Sequence, residues 1–256
     1  DLEALILHEA PDTVEAFIAE PVMGAGGVIV PPRTYFGKIT EVCRKYDIYM
    51  ISDEVICGFG RLGTGFGCEA LGFKAHSISV AKALTSAYVP MAALTVPDMM
   101  YQALIDESRK IGTFGHGFTY SGHPVAAAVA LKTLEIYARE RITETVARKA
   151  QHFLARIAAL AQHPLVGEAR GLGLVGAVEL VADKETKRSF EAKAGIGPRA
   201  VQFAEEEGLI VRFLPNDVVS FCPPLIITIA EIDALFDRLG RALDRTLDWV
   251  KAQRLM

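Results

Sequence analysis

Two charged side chains, Asp53 and Lys82, each follow a short apolar run that is typical of a buried strand. Asp53 follows the run IYMIS, and Lys82 follows the run HSISVA. In an open α/β sheet the carboxyl ends of the parallel strands lie along one edge, and ligands bind just beyond that edge. We therefore expect the two side chains to come together at one site.

The chemistry of this pair suits a pyridoxal phosphate (PLP) site. A lysine that follows a buried strand must find a partner or give up its charge, and an uncharged amine is a nucleophile for a carbonyl carbon. PLP enzymes use a Schiff-base lysine together with an acid on the pyridine nitrogen, which are the roles predicted for Lys82 and Asp53. Two other interpretations stay open on the residues alone: Lys82 as an exposed lysine at a strand end, and Asp53 as a helix N-cap.

Two further segments carry groups that can hold anions. Residues 112–124, GTFGHGFTYSGHP, predict a loop before a helix, where backbone amides and hydroxyls such as that of Thr119 can bind a phosphate. The histidines of this loop are not spaced with carboxylates as in a metal site, so we predict no metal ion. Arg212 lies near the end of the strand-like run GLIVRF, where it is either an exposed arginine or a bidentate ligand for a substrate carboxylate.

Three glycines, Gly171, Gly173 and Gly176, spell the pattern G-x-G-x-x-G. The dinucleotide-binding fingerprint requires a strand before this pattern and a helix directly after it. Here the glycines lead into VGAVELV, which is a β-type run. We therefore predict a β-turn at a sheet edge and no nucleotide site.

The order of the apolar runs predicts an α/β fold. Strand-like and helical runs alternate before Pro164, which is the βαβ pattern of a mostly parallel sheet, and short strands alternate with helices after it. We place a domain boundary in the helix before Pro164, with a large domain at residues 1–155 and a small α+β domain at residues 156–256. Helices are predicted at residues 2–10, 35–46, 98–105, 125–140, 142–162, 198–207 and 229–249, with a short one near Glu69. Strands are predicted at residues 14–22, 48–54, 76–82, 90–96, 166–181, 208–213 and 218–224.

The composition is that of a globular protein, with 51% hydrophobic and 23% charged residues. The formal net charge of −4 gives no reason to expect nucleic acid or an anionic membrane surface as a partner, and no apolar stretch has the length of a membrane span. The four cysteines lack metal-site spacing, and a chain this long does not need disulfides, so we expect a reducing cytoplasm. The mean hydropathy of +0.27 indicates a large core or apolar surface buried against a partner.

Six segments, in sequence order, resemble the class III (ω-type) PLP-dependent aminotransferases of fold type I. They are AEPVMGAGGVIVPP, ISDEVICGFGRLGTGFG, ISVAKALTSAYVPMAA, GTFGHGFTYSGHPVAAAVAL, RGLGLVGAVELV and CPPLIIT. DEVICGFGR together with HGFTYSGHP is most similar to the ω-amino acid or amine:pyruvate branch. The resemblance implies the later part of a large PLP-binding domain with a mostly parallel sheet, followed by a C-terminal α+β small domain.

By this resemblance, five residues bind the cofactor. Lys82 forms the Schiff base, Asp53 holds the pyridine nitrogen, and Val55 lies against the ring. Thr119 binds a cofactor phosphate from the neighbouring subunit, and Glu20 lies near the cofactor. The active form that this implies is a homodimer or a higher oligomer.

The activity implied is the transfer of an amino group from a primary amine or an ω-amino acid to a keto acid, with pyruvate as the expected acceptor. Arg212 matches the mobile arginine that receives the carboxylate of the acceptor. Ile56 and Met23 stand where many family members carry Gln, which argues against a glutamate- or ornithine-type specificity. The alternatives are a decarboxylating aminotransferase, an aminomutase of the same fold, and a non-catalytic fragment of that fold.

Family members are much longer than this chain. Their N-terminal part supplies a Gly/Ser phosphate loop and an aromatic ring that stacks on the cofactor, and neither is in this sequence. The chain begins at Asp1 with no initiator Met and no basic signal-peptide region. The resemblance therefore implies the C-terminal portion of an enzyme, without a complete active site.

Overall fold

The computed structural model describes residues 1–256, which divide into two compact units. The first unit consists of Asp1–Pro21, Pro31–Phe59 and Gly65–Arg141. The second unit consists of Val22–Val30, Gly60–Thr64 and Ile142–Met256. None of the helices combines the length and the apolar character that a membrane span requires.

A four-stranded sheet forms the centre of the first unit. The elements in chain order are α1 (Leu2–Glu9), β1 (Ala16–Ala19), α2 (Tyr35–Lys45), β2 (Tyr49–Asp53), α3 (Gly67–Ala70), β3 (Ser77–Val80), β4 (Ala93–Thr95), α4 (Asp98–Ile111) and α5 (Pro124–Arg139). The strand order is β1-β2-β3-β4, in which β1, β2 and β3 are parallel and β4 is antiparallel. The predicted α/β class with a mostly parallel sheet is confirmed.

Helix α2 and strand β2 bury their apolar faces in one core. Phe36, Ile39 and Cys43 recur at helical spacing on α2, and all three are buried. The ring of Phe36 stacks on that of Phe73 with centroids 3.9 Å apart, and Met50 of β2 belongs to the same cluster. This burial fixes β2 against α2, and with it the position of Asp53, the last residue of β2.

Helix α4 is longer than its sequence pattern predicts. It continues to Ile111, although the prediction ends it at residue 105. The extra turns contain two exposed ion pairs, Asp106–Arg109 and Glu107–Lys110, each three residues apart. The helix ends at Gly112, whose φ of +80° is the left-handed conformation that terminates helices.

An antiparallel sheet forms the centre of the second unit. The elements are α6 (Ile142–Leu160), β5 (Val166–Leu172), β6 (Val175–Leu180), α7 (Ile196–Glu206), β7 (Arg212–Leu214), β8 (Val218–Phe221) and α8 (Ile229–Ala252), and the strand order is β5-β6-β8-β7. Three buried rings, Phe153 of α6, Phe221 of β8 and Phe236 of α8, pack edge to face with centroids 5.3–5.9 Å apart. This part of the chain has the α+β arrangement that we predict for the small domain.

The last of the boundaries between the two units along the chain falls between Arg141 and Ile142, where α6 begins. The sequence pattern places a domain boundary later, after residue 155. The whole of α6 lies in the second unit because its apolar face, which includes Phe153 and Ile157, is buried there with β5 and α8. The assignment of residues 1–155 and 156–256 to two domains stays a prediction.

The three glycines of the G-x-G-x-x-G pattern form a hairpin. Gly171 of β5 pairs with Gly176 of β6 in an antiparallel ladder, and Gly173 lies in the connecting turn with a φ of +61°. Strand β5 is at the edge of its sheet, and no helix follows the pattern. The prediction of a β-turn at a sheet edge is confirmed.

Gly173→Ala is expected to destabilise the protein by about 2–4 kcal/mol, because it combines a left-handed backbone with overpacking. A Cβ atom at this position would lie 2.4 Å from the carbonyl oxygen of Arg61 and 2.4 Å from the Cα of Leu62. Urea unfolding measures the effect. Gly195→Ala is the matched control, since Gly195 has a φ of +65° but no atom within 4 Å. Equal losses in the two variants would show that the close contact is not what requires glycine.

Candidate active site

The carboxyl ends of β1, β2 and β3 lie side by side at one edge of the first sheet. Glu20 follows β1 directly, Asp53 is the last residue of β2, and Lys82 comes two residues after the end of β3. Asp53 pairs with Ser79, which fixes the alignment of β2 with β3. Neighbouring strands are about 4.8 Å apart, so the ends of β1 and β3 are separated by roughly 10 Å. The structure therefore brings these three predicted residues to the same edge.

Lys82 begins a single-turn 3₁₀-helix, Lys82–Thr85, and has a φ of +41°. A positive φ is uncommon outside glycine, and residues with this strain are concentrated at functional sites. The turn is held by a hydrogen bond from the Ala87 amide to the Lys82 carbonyl (3.2 Å) and by one from the Tyr137 hydroxyl to the Ala83 carbonyl (2.8 Å).

The side chain of Lys82 is exposed in this chain. The expected burial of Lys82 after the strand is therefore wrong for the chain as it stands. The physical reason is the sharp turn, which ends β3 at Val80 before the chain reaches Lys82.

Asp53 is half-buried, and its Oδ1 accepts a hydrogen bond from the Val55 amide at 3.1 Å. The interpretation of Asp53 as a helix N-cap is wrong, since turns follow it and the next helix begins only at Gly67. The hydrogen bond orients the carboxylate and leaves Oδ2 for a further donor. Val55, predicted to lie against the cofactor ring, is half-buried in the turn beside it.

Glu54, the next residue, was not among the predicted site residues, yet it is almost completely buried, with 1% of its surface exposed. Its carboxylate accepts three hydrogen bonds, from the Ser52 hydroxyl (2.9 Å), the Gly67 amide (2.7 Å) and the Cys68 amide (2.8 Å). Strand alternation is the signal that identifies it, because Met50, Ser52 and Glu54 are two residues apart and are all buried.

Thr119 lies in the loop between α4 and α5, and its side chain is exposed. The loop has local order: the Ser121 hydroxyl accepts a hydrogen bond from the Phe118 amide at 3.0 Å, and His123 caps α5 through the Val125 amide. The role of Thr119 as a phosphate ligand stays a prediction. No group of three or more His, Cys, Asp or Glu side chains is arranged to hold a metal ion.

Arg212 belongs to the second unit, where it is the first residue of the edge strand β7. The sequence pattern instead places it near the end of a strand over residues 208–213. The strand is shorter than predicted because its pairing with β8 begins at Arg212 and Ser220. The Arg212 side chain is exposed, and its carbonyl accepts a hydrogen bond from the Ser220 hydroxyl at 3.2 Å.

The groups at the sheet edge fit PLP. The cofactor requires an amine for its aldehyde and an acid for its ring nitrogen. The exposed amine of Lys82 and the Asp53 carboxylate, with Oδ2 available, provide these two groups on neighbouring strands. The chain therefore has, at this edge, an amine and a carboxylate of the kinds that PLP chemistry uses, and the roles of Lys82 and Asp53 stay predictions.

The family model of the class-III aminotransferases matches residues 1–243. This chain belongs to the class-III aminotransferases. The fold and the pair formed by Asp53 and Lys82 agree with that membership, and the PLP-dependent transferase fold predicted from the sequence is confirmed.

Curated transaminases and aminotransferases are identical to the chain at nearly half of their aligned positions. A protein named gamma aminobutyrate transaminase 3, chloroplastic, from Solanum lycopersicum is 48% identical over 246 residues, covering 96% of this chain and 47% of the relative. A vanillin aminotransferase from Capsicum chinense is 46% identical over 257 residues, covering 99% of this chain and 56% of the relative. The chain thus spans about half the length of the curated relatives it matches.

Solved omega transaminase structures have the same fold. The omega transaminase from Pseudomonas jessenii in complex with PMP matches with a TM-score of 0.94 and 48% identity. The match covers 98% of this chain and 55% of the other. The similarity to omega transaminases that the sequence motifs predict is confirmed.

Proposed function

We propose that the complete protein is a PLP-dependent aminotransferase that moves an amino group from a primary amine or an ω-amino acid to a keto acid, with pyruvate as the acceptor. The observation that carries this proposal is the placement of Lys82 and Asp53 at one sheet edge in a class-III chain. The names of the relatives, gamma-aminobutyrate transaminase and vanillin aminotransferase, support an ω-amino acid or an amine as the donor.

Each residue at the sheet edge has a defined task in this reaction. When bound, PLP supplies an electron sink that stabilises negative charge on the substrate carbon. Lys82 would hold the cofactor through its Nζ, and the same amine would move a proton as general base and then as general acid. Asp53 would keep the ring nitrogen protonated through Oδ2, Val55 would pack against the ring, and Glu20 would lie near the cofactor.

An amine-donor panel with pyruvate as the acceptor tests the proposed activity. We expect the complete protein to form alanine from pyruvate with γ-aminobutyrate or with an arylalkyl amine as the donor. Running the same panel with 2-oxoglutarate as the acceptor separates the two acceptor classes. We expect pyruvate to be preferred, because Ile56 and Met23 argue against a glutamate-type specificity. Carbon dioxide release would identify a decarboxylating enzyme, activity without an acceptor would identify an aminomutase, and no turnover with bound PLP would identify a non-catalytic protein.

Arg212 is our candidate for binding the carboxylate of the acceptor. Arg212→Leu is expected to raise the KM for pyruvate about tenfold or more, because a charged bidentate hydrogen bond is lost. The KM for an amine donor without a carboxylate should not change. Lys193→Leu, which removes another exposed cation of the second unit, is the control. An unchanged KM for pyruvate would exclude Arg212 as this ligand.

We also propose that the active form is a homodimer or a higher oligomer in which Thr119 serves the cofactor of the partner subunit. Large apolar side chains surround Thr119 in its loop, and Phe118 and Tyr120 are 80% and 79% exposed. Such a cluster is typical of an interaction surface. Light scattering measures the mass, and a fully active monomer would contradict this assembly.

We propose that the protein is cytoplasmic, because its four cysteines have no metal-site spacing and the chain does not need disulfides. Relatives are named as chloroplastic or mitochondrial, which makes an organelle the competing location. Imaging of the complete protein with a C-terminal tag in its host distinguishes the two.

A further inference from the structure

The buried carboxylate of Glu54 connects the end of β2 to the start of α3. Its Oε1 accepts hydrogen bonds from the Ser52 hydroxyl and the Cys68 amide, and its Oε2 accepts one from the Gly67 amide. Asp53 stands between Ser52 and Glu54, so the two residues that flank it are fixed to each other by a side-chain hydrogen bond.

The backbone of Glu54 is fixed as firmly as its side chain. Its amide donates to the Ser79 carbonyl of β3 at 2.9 Å, and its carbonyl accepts from the Gly58 amide at 2.9 Å. The first bond extends the alignment of β2 and β3 one residue past Asp53. The second closes the turn that contains Val55, whose amide holds the Asp53 carboxylate.

The donors that face Glu54 have little freedom to move. A Cβ atom on Gly67 would lie 2.7 Å from the Cβ of Pro21 and 2.8 Å from the Cβ of Cys57, so the backbone packs closely there. Burial, and then the charge of Glu54, raise the pKa of the Cys68 thiol to about 12. The three donors satisfy the buried carboxylate of Glu54, since a buried polar group is stable only when it is hydrogen-bonded.

We propose that Glu54 is a positioning residue that holds the Asp53 carboxylate in place for the cofactor's ring nitrogen. This inference rests on the proposed function, in which Asp53 contacts that nitrogen. Glu54 acts through Ser52 and the turn after β2, and it does not itself touch the cofactor or the substrate. The two adjacent acids thus have different roles. Asp53 contacts the cofactor, and Glu54 fixes the backbone that carries Asp53.

The variant Glu54→Gln in the complete protein tests the proposal. An amide places an N–H donor opposite a backbone N–H donor, so at least one of the three hydrogen bonds is lost. We expect the dissociation constant for PLP, measured by equilibrium dialysis, to rise about tenfold. We also expect the pH titration of the visible absorbance of the bound cofactor to shift, in the direction that Asp53→Asn gives and by a smaller amount.

Glu69→Gln is the matched control. Glu69 also caps α3, since its Oε2 accepts from the Phe66 amide at 3.1 Å, but it is exposed and has no hydrogen bond to Ser52. It should leave both the dissociation constant and the absorbance titration unchanged. The absorbance titration separates positioning from a loss of stability, because a weaker fold alone does not alter the protonation of the bound ring.

The outcomes are distinct. If Glu54→Gln equals the wild type in both measurements while Asp53→Asn differs, the inference is overturned and the proposed function stands. If Asp53→Asn also equals the wild type, the proposed role of Asp53 fails, and this inference fails with it. If Glu54→Gln does not fold, Ser52→Ala decides: a smaller shift in the same direction supports positioning, and wild-type values overturn it.

Discussion

Lys82→Ala is expected to abolish transamination, with a loss of kcat of at least about a thousandfold, because the variant lacks both the covalent attachment point and the group that moves the proton. The visible absorbance band of the lysine-bound cofactor should disappear from the purified protein. Because Lys82 is exposed, its truncation should leave the melting temperature of the cofactor-free protein nearly unchanged. Stopped assays with pyruvate, together with an absorbance spectrum, measure both effects.

Lys74→Ala is the control for this experiment. Lys74 is an exposed lysine of the same unit, three residues before β3, so its loss changes the net charge equally without touching the sheet edge. We expect it to retain full activity and the visible band. A band that survives in Lys82→Ala with cofactor bound would show that another amine holds the cofactor.

Asp53→Asn is expected to lower kcat by about two to three orders of magnitude, because it removes a charge that stabilises the transition state within a fixed site. Asparagine keeps an oxygen that accepts the hydrogen bond from the Val55 amide, so the turn after β2 should persist. The neutral side chain no longer keeps the ring nitrogen protonated. The cofactor should therefore bind more weakly and its visible band should titrate at a different pH. Both are measured on the complete protein.

Asp47→Asn is the matched control, since Asp47 is an exposed aspartate just before β2 at the opposite end of the strand. Its φ of +55° is a conformation that asparagine also tolerates. We expect wild-type kinetics and cofactor affinity. A loss in Asp53→Asn of only a few fold would show that its charge is not what drives the reaction.

The strands and helices that bear the site could be predicted from local patterns. The apolar run before Asp53 alternates in burial as a strand should, and α2 places its apolar residues on one face. The end of helix α4 was harder to predict, because its last residues have no apolar face and depend on exposed ion pairs and a glycine cap. Local patterns therefore predict buried elements better than exposed ones.

The environment of the individual side chains could not be predicted in the same way. Lys82 follows a buried strand, yet a sharp turn with positive φ leaves it exposed, and such a turn has no apolar period to reveal it. The hydrogen bonds of Glu54 could not be predicted either, because its partners Gly67 and Cys68 are 13 and 14 residues away along the chain. Hydrogen bonds of that range depend on the tertiary fold.

The alternation of Asp53 and Glu54 along β2 makes the site sensitive to single-residue insertions and deletions. A one-residue insertion within β2 would move Asp53 into the buried position of Glu54 and place Ser52 at the sheet edge, whereas a one-residue deletion would place Glu54 at the edge and Val55 in that buried position. After the insertion the shorter aspartate side chain would have to span to the Gly67 and Cys68 amides, and after the deletion the longer glutamate would crowd the edge. Length changes should therefore be excluded from this strand during divergence and tolerated in exposed turns such as residues 184–187. The number of residues in this strand is therefore expected to be as strongly constrained as the identity of the two acids.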